Sequence, residues 1–375
     1  MTNHLTLQAL IDGLAPALVP GLAMAIGNNR GLVWQGAAGY TDVEQQKLAR
    51  PECVFGVGSI TKVFVAVVIL QLVEEQRISL DHTLVRYLSV DVLNQIPNAE
   101  ATTIRELLSH YSGIPSWEDD PLWIRDGRGQ CITPGKRWAS AEQLEYIRGG
   151  KPIFEVGKGF HYSNTNYTLL GLLVEKVTGQ PFAQVIEQHI LKPLGMDATE
   201  LESVAAESPQ NLSKRYHWAT PLFLKTAGTA PSYKSVAPGL LDVSSSNMSV
   251  EWAAGGFVST ASDIVKFMTA LKSGQLLGSQ MNQQMFAWLP AHSGKQMGLG
   301  IFRVSASHGS VIGHGGNVLG FSATTWWFEE TDCVLALLTN VGSMHSGPDA
   351  WCASKIFEST TLGLEVQALC RLCQN

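Results

Sequence analysis

The chain has 375 residues, 45% of them hydrophobic and 15% charged, with a formal net charge of −6. That is long for one core and too apolar for a disordered or low-complexity protein. The acidic balance, with no basic run, excludes nucleic acid or an anionic membrane as the main partner.

The opening stretch, "MTNHLTLQALIDGLAPALVPGLAMAI", lacks a basic start, and Asp12, Pro16 and Pro20 break up its apolar residues, so it does not read as a signal peptide. The longest apolar run, Val63 to Leu70, is too short to cross a bilayer. The expectation is a cytoplasmic protein with no membrane partner. Residues 22–26 and 32–36 are short apolar runs on either side of "GNNRG", whose Asn and Gly residues suit a tight turn, so they form a β-hairpin. Ser59 to Glu75 is apolar on nearly every side, the pattern of a helix buried among other elements.

Helical patterns dominate from about residue 80 to 200. "TIRELLSHYSGIP" stops at Gly113 and Pro115; "YTLLGLLVEKVTG" and "FAQVIEQHILKPLG" follow, the latter ended by Pro193 and Gly195. Ser116–Ser140 and Tyr216–Glu251 show little periodicity and suit lids or binding loops. "STASDIVKFMTAL" is a helix with Thr260 as N-cap. The period then changes: "GLGIFRV", "FSATTWWF" and "CVLALLTN" are strands, and a last helix covers Asp349–Thr361. The fold class expected is α/β (α+β), an antiparallel sheet flanked by helices and closed by both termini. Residues 1–78 and 253–375 would form the sheet domain, and residues 79–252 a mainly helical insertion with lid-like loops. The site would lie between the two.

Ser59 and Lys62 are three residues apart at the start of the first buried helix, where i and i+3 share a face. A serine needs a base to act as a nucleophile. A buried amine loses basicity and becomes able to accept a proton. The alternative is an N-cap serine with a lysine that snorkels to solvent, but the residues after Lys62 are apolar and give it a poor route out. In "GFHYSNTNY", Tyr162 is followed two residues later by Asn164. A phenol near a cationic lysine would have a lowered pKa and shuttle protons, and a carboxamide binds both lysine and substrate amide. The alternative is a packed tyrosine with Ser163 or Asn164 as a helix cap.

In "IGHGGNVLGFSATTWWF", glycines after His314 let backbone approach a ligand, and Asn317 N–H would face Ser59 N–H as a second oxyanion donor. H-x-G recurs at His292 and His345, but in polar segments expected to be exposed; His110 is expected to be structural. No Walker loop, G-x-G-x-x-G, H-E-x-x-H or G-x-S-x-G motif is present. Trp117, Trp123, Trp326 and Trp327 fit an apolar pocket wall or the core equally. The six cysteines are scattered, and the Cys370/Cys373 pair near the end is read as reduced thiols in a fraying tail.

The ordered motifs S-x-x-K, Y-x-N and H-x-G, supported by "LLSHYSGIP", "LKPLGM" and "GGFVSTASDIVKF", resemble the serine β-lactamase and penicillin-recognising family. The closest branch is the class C-related group, which holds D-alanyl-D-alanine carboxypeptidases, D-amino acid amidases and peptidases, and family VIII esterases. The resemblance implies Ser59 as acylated nucleophile, with Lys62 and Tyr162 as the acid/base system. It also implies Asn164, His314, Gly316 and Asn317 as substrate-binding or oxyanion residues, with no metal or cofactor. Where many β-lactamases have K-T-G, this chain has His314-Gly315-Gly316, which favours small esters, amides or short D-peptides over cephalosporins. Alternatives are an acyltransferase of the same fold and a non-catalytic penicillin-binding or sensor-type protein.

Overall fold

The computed structural model describes residues 2–202, 209–306 and 309–373. Its main sheet has nine antiparallel strands. The centre is built from the two ends of the chain. The hairpin β1 (Gly21–Asn28) and β2 (Gly31–Asp42) comes from the N-terminal side, and β3 (Gly309–Val318), β4 (Phe321–Phe328) and β5 (Val334–Thr339) come from the C-terminal side. β1 closes the sheet against β5, with Leu22 opposite Thr339 and Gly27 opposite Val334.

β1 is buried along its whole length because helices cover both faces of the sheet. Side chains alternate along a strand, so Leu22, Met24 and Ile26 enter one core and Ala23 and Ala25 the other. The first core is closed by Leu7 and Ile11 of α1 (Thr2–Leu14), by Ile356 and Phe357 of α5 (Ala353–Ser359), and by Val366 and Leu369 of α6 (Leu362–Cys373). The second contains α2 (Thr61–Glu74) and α4 (Ala261–Lys272). Phe64 of α2 stacks on Phe267 of α4, with ring centroids 3.8 Å apart. Burying a ring of this size contributes roughly 2–3 kcal/mol. Thr260 caps α4 by accepting from Asp263 N, as expected.

Several features differ from the sequence-based reading: β3 is absent from that reading, the helix expected over Asp349–Thr361 is the shorter Ala353–Ser359, and the irregular Ser116–Ser140 stretch holds a helix, Pro121–Gly127. The Tyr216–Glu251 stretch carries the strands Tyr216–Trp218, Lys234–Ala237 and Leu240–Asp242, which join Val341–Gly342 in a four-stranded sheet. Each is too short to display a period. The chain after Thr361 is not a fraying tail but α6, whose apolar face docks on the sheet. Cys370 is not a reduced thiol: it forms a disulfide with Cys333, immediately before β5. Among the described residues, no helix is long and apolar enough to cross a membrane.

Candidate active site

The Gly58–Ile60 turn immediately precedes α2 and carries Ser59, and Lys62 follows on the first turn of the helix. The turn is fixed from two sides. Val57 N donates to Phe257 O (2.9 Å), in a strand paired with Phe55–Gly56. Gly58 adopts a φ of +53°, and a β-carbon there would come within 2.8 Å of Asn317 N. Glycine is therefore required both by the left-handed backbone and by the close approach of β3.

Lys62 is fully buried among the apolar residues of α2, which leave it no route to solvent. Its Nζ lies 2.9 Å from Ser59 Oγ, 2.7 Å from Asn164 Oδ1 and 2.6 Å from Ala254 O. It also sits 4.9 Å from the centre of the Tyr162 ring. Burial pushes the amine down to about 7, against the pull of the Glu118 and Glu251 carboxylates.

The Tyr162 phenol is hydrogen-bonded to Ser59. The expectation of a lowered phenol pKa is reversed. Burial, reinforced by Glu118 and Glu251, pushes it well above its ordinary value despite the Ser59 contact, so Tyr162 carries its proton in the resting site. His110 supports this ring from behind: its own ring lies 4.3 Å from that of Tyr162, and its Nδ1 accepts from Ser163 N at 3.0 Å. Burial holds His110 well below its usual pKa, consistent with the structural role read from the sequence.

Asn164 opens α3 (Asn164–Thr178) and uses both ends of its amide: Oδ1 faces Lys62, and Nδ2 donates to Glu118 Oε2 at 2.6 Å. On the opposite wall, Gly316 packs against the Val57–Ser59 backbone. Asn317 is tied to Ser343, donating to its Oγ (2.7 Å) and accepting from its N (3.0 Å). His314 is buried, with Nδ1 2.5 Å from Gly315 O, and burial with the nearby Lys62 pushes it down to about 3. It is neutral at physiological pH and does not replace the charge of a lysine.

These residues share a cleft of 630 Å³, to which Ser59, Tyr162, His314, Gly316 and Asn317 contribute directly. Phe160, Phe302, Trp326 and Met344 give it an apolar wall, and Lys295 and Glu358 lie on it as an ion pair 3.7 Å apart. Of the four tryptophans singled out from the sequence, only Trp326 lines the cleft; Trp117, Trp123 and Trp327 are core. His292 is exposed but belongs to this cleft, and His345 is partly buried beside Glu118 rather than exposed.

Sequence reasoning missed Glu118, Arg128 and Glu251. Arg128 is fully buried, is paired with Glu118 and donates to Glu251 at 2.9 Å. The three are far apart in the chain and follow no spacing rule. The sole hint was an acidic run, Glu118-Asp119-Asp120, inside an otherwise apolar and aromatic stretch.

The chain belongs to the beta-lactamase family, whose family model matches residues 8–351. A D-stereospecific amidohydrolase from Streptomyces sp. is 30% identical, covering 90% of this chain and 94% of that one, with a TM-score of 0.75. D-amino acid amidase from Ochrobactrum anthropi SV3, complexed with D-phenylalanine, shares the fold over 100% of both chains with a TM-score of 0.81 at 24% identity. Among curated relatives, protein flp of Staphylococcus aureus (strain MW2) is 31% identical over 210 residues, 55% of this chain and 40% of that protein. The match thus spans less than half the length of that relative. The putative penicillin-binding protein PbpX of Bacillus subtilis is 26% identical over 86% of this chain and 70% of its own length. The fold is that of the family's serine hydrolases.

Proposed function

We propose that this protein is a serine hydrolase that forms an acyl-enzyme on Ser59 and acts on small amides, D-amino acid amides foremost, and on related esters. The observation that carries this reading is the 2.9 Å approach of a buried lysine amine to the Ser59 hydroxyl. Neutral Lys62 takes the Ser59 proton as Oγ adds to the substrate carbonyl. The backbone N–H groups of Ser59 and Asn317 would bind the oxygen that becomes negative. Tyr162 gives its proton to the departing amine or alcohol and regains one from the Lys62 ammonium. Water then releases the acid by the reverse sequence.

Two observations support an amide or ester without a free carboxylate beside the scissile bond. His314 is neutral and Gly315 has no hydroxyl, so the wall offers no cation at that point. The 30% identity to a D-stereospecific amidohydrolase favours D-configured amides, and the aromatic wall suits an apolar side chain.

The test is intact-mass analysis after treatment with a fluorophosphonate, followed by a parallel screen of D- and L-amino acid amides, p-nitrophenyl esters and nitrocefin. A single adduct on Ser59 and turnover of D-amides above L-amides are expected. No adduct would end the hydrolase reading, and turnover confined to esters would move the protein to the esterase branch.

A further inference from the structure

Lys62 Nζ has three polar neighbours, and their chemistry fixes its orientation. Ala254 O can only accept. Asn164 Oδ1 also accepts, provided the amide stays in its present orientation, and nothing in Lys62 itself enforces that. Glu118 does, because Asn164 Nδ2 donates to its Oε2 at 2.6 Å and a flipped amide would set two oxygens against each other. A neutral amine with both N–H bonds directed at Asn164 and Ala254 has its lone pair left for the third neighbour, the Ser59 hydroxyl.

Glu118 is in turn held firmly. Its segment is laced to the first turns of α3: Asn164 N donates to Ser116 Oγ (3.1 Å), Trp117 N to Thr165 Oγ1 (3.1 Å), and Trp117 Nε1 to Thr168 Oγ1 (3.1 Å). The other Glu118 oxygen is taken by Arg128, whose same nitrogen also reaches Glu251. Glu251 lies at the start of the turn that presents Ala254, since its carbonyl accepts from Ala254 N at 2.8 Å. One buried arginine therefore ties together both arms that supply Lys62 with acceptors.

We infer that Glu118, Arg128 and Glu251 are positioning residues: they lock the Asn164 amide and the Ala254 turn so that the free amine of Lys62 can aim only at Ser59. This inference rests on the acyl-enzyme reading above. With all three ionised the cluster carries one net negative charge, which is balanced only when Lys62 is protonated, so Glu118 and Glu251 favour the ammonium that burial opposes. The groups facing Lys62 are Glu118, Glu251, Tyr162, Tyr167, His110 and His314, and both histidines are held neutral.

The test is the rate of fluorophosphonate labelling of Ser59 as a function of pH, with thermal melts as a control for folding. Glu118→Gln lets the new amide donate to Asn164, so the Asn164 amide turns over and Lys62 loses an acceptor. A plateau rate at least tenfold below wild type is expected. The loss of the Glu118 charge, which favours the protonated amine, also moves the acidic limb to lower pH. Should Glu118→Gln not be recovered folded, Glu118→Asp keeps a carboxylate beside Arg128 but withdraws it from Asn164. A lowered plateau with an unmoved acidic limb is then expected. For Glu118→Gln, a plateau within twofold of wild type, or a lower plateau whose acidic limb has not moved, overturns the inference; for Glu118→Asp, a plateau within twofold does. Wild-type protein that takes no label on Ser59 overturns the acyl-enzyme reading beneath it, and this inference with it; labelled wild type with unaffected variants overturns the inference alone.

Discussion

A β-carbon on Gly316 would stand 2.0 Å from the carbonyl oxygen of Val57 and 2.9 Å from the amide nitrogen of Ser59. Both neighbours are backbone, so neither can swing aside. Gly316→Ala must push β3 away from the Ser59 turn and with it the Asn317 amide. Labelling of Ser59 is expected to fall at least about 100-fold, as for loss of an oxyanion donor. Gly315→Ala is the control: the one tight contact of its β-carbon would be the Ser354 hydroxyl, at 2.7 Å, and that side chain can rotate, while the backbone oxygen of Ala323 stands at an ordinary 3.9 Å. Equal losses in the two variants would show that contact between strand and turn is not what matters.

Ser59→Ala is expected to abolish turnover and leave the melting temperature close to that of wild type, because the hydroxyl contributes little packing. Tyr162→Phe removes the hydroxyl that contacts Ser59 and should lower kcat by roughly two to four orders of magnitude, the usual range for a proton-transfer group. Full activity in Tyr162→Phe would remove Tyr162 from the proton path.

Activity should rise with pH through about 7, where burial has brought the Lys62 amine. The sign follows from the role: the amine must be neutral to accept the serine proton, so protons compete with catalysis below that value. Glu251, also pushed up to about 7 by burial, titrates in the same cluster, so the limb reports the pair rather than one residue. A kcat/KM profile on a p-nitrophenyl ester, corrected for spontaneous hydrolysis, reads it. A rate that is flat from pH 5 to 9 would mean that Lys62 is not the base.

The Cys333–Cys370 bond joins residues 37 apart in sequence and anchors α6. Closing a loop of that length stabilises a fold by about 2–4 kcal/mol. Cys370→Ala should lower the melting temperature without moving the acidic limb of activity, since the bond is on the face of the sheet packed with α1, α5 and α6. An unchanged melting curve would show that the thiols are not joined in solution.

The parts of the site that were legible in the sequence are those fixed by short spacing. Ser59 and Lys62 lie within one helical turn, Tyr162 and Asn164 at a helix entry, and His314 to Asn317 along one strand. Of the central strands, β1, β2, β4 and β5 were legible as apolar runs bounded by turn residues, whereas β3, broken up by Gly309, Gly313, Gly315 and Gly316, was not. Glu118, Arg128 and Glu251 were not, because their partnership is made by three separate segments meeting in space. The four-stranded sheet around Tyr216 was hidden for a related reason: two- to four-residue strands carry no pattern. The phenol of Tyr162 was misjudged because proximity to Lys62 is visible in a motif, whereas the burial that outweighs it is a property of the folded surroundings.

The helix behind Ser59 is enclosed over nearly all its surface, from Thr61 through Leu70. Ser59 is thus seated on bedrock, while the walls facing it include separate segments around His292, Phe302 and Cys352. Retuning what the cleft accepts is a matter for those margins, and a mutagenesis library confined to them would sample new specificities while sparing the Ser59 turn.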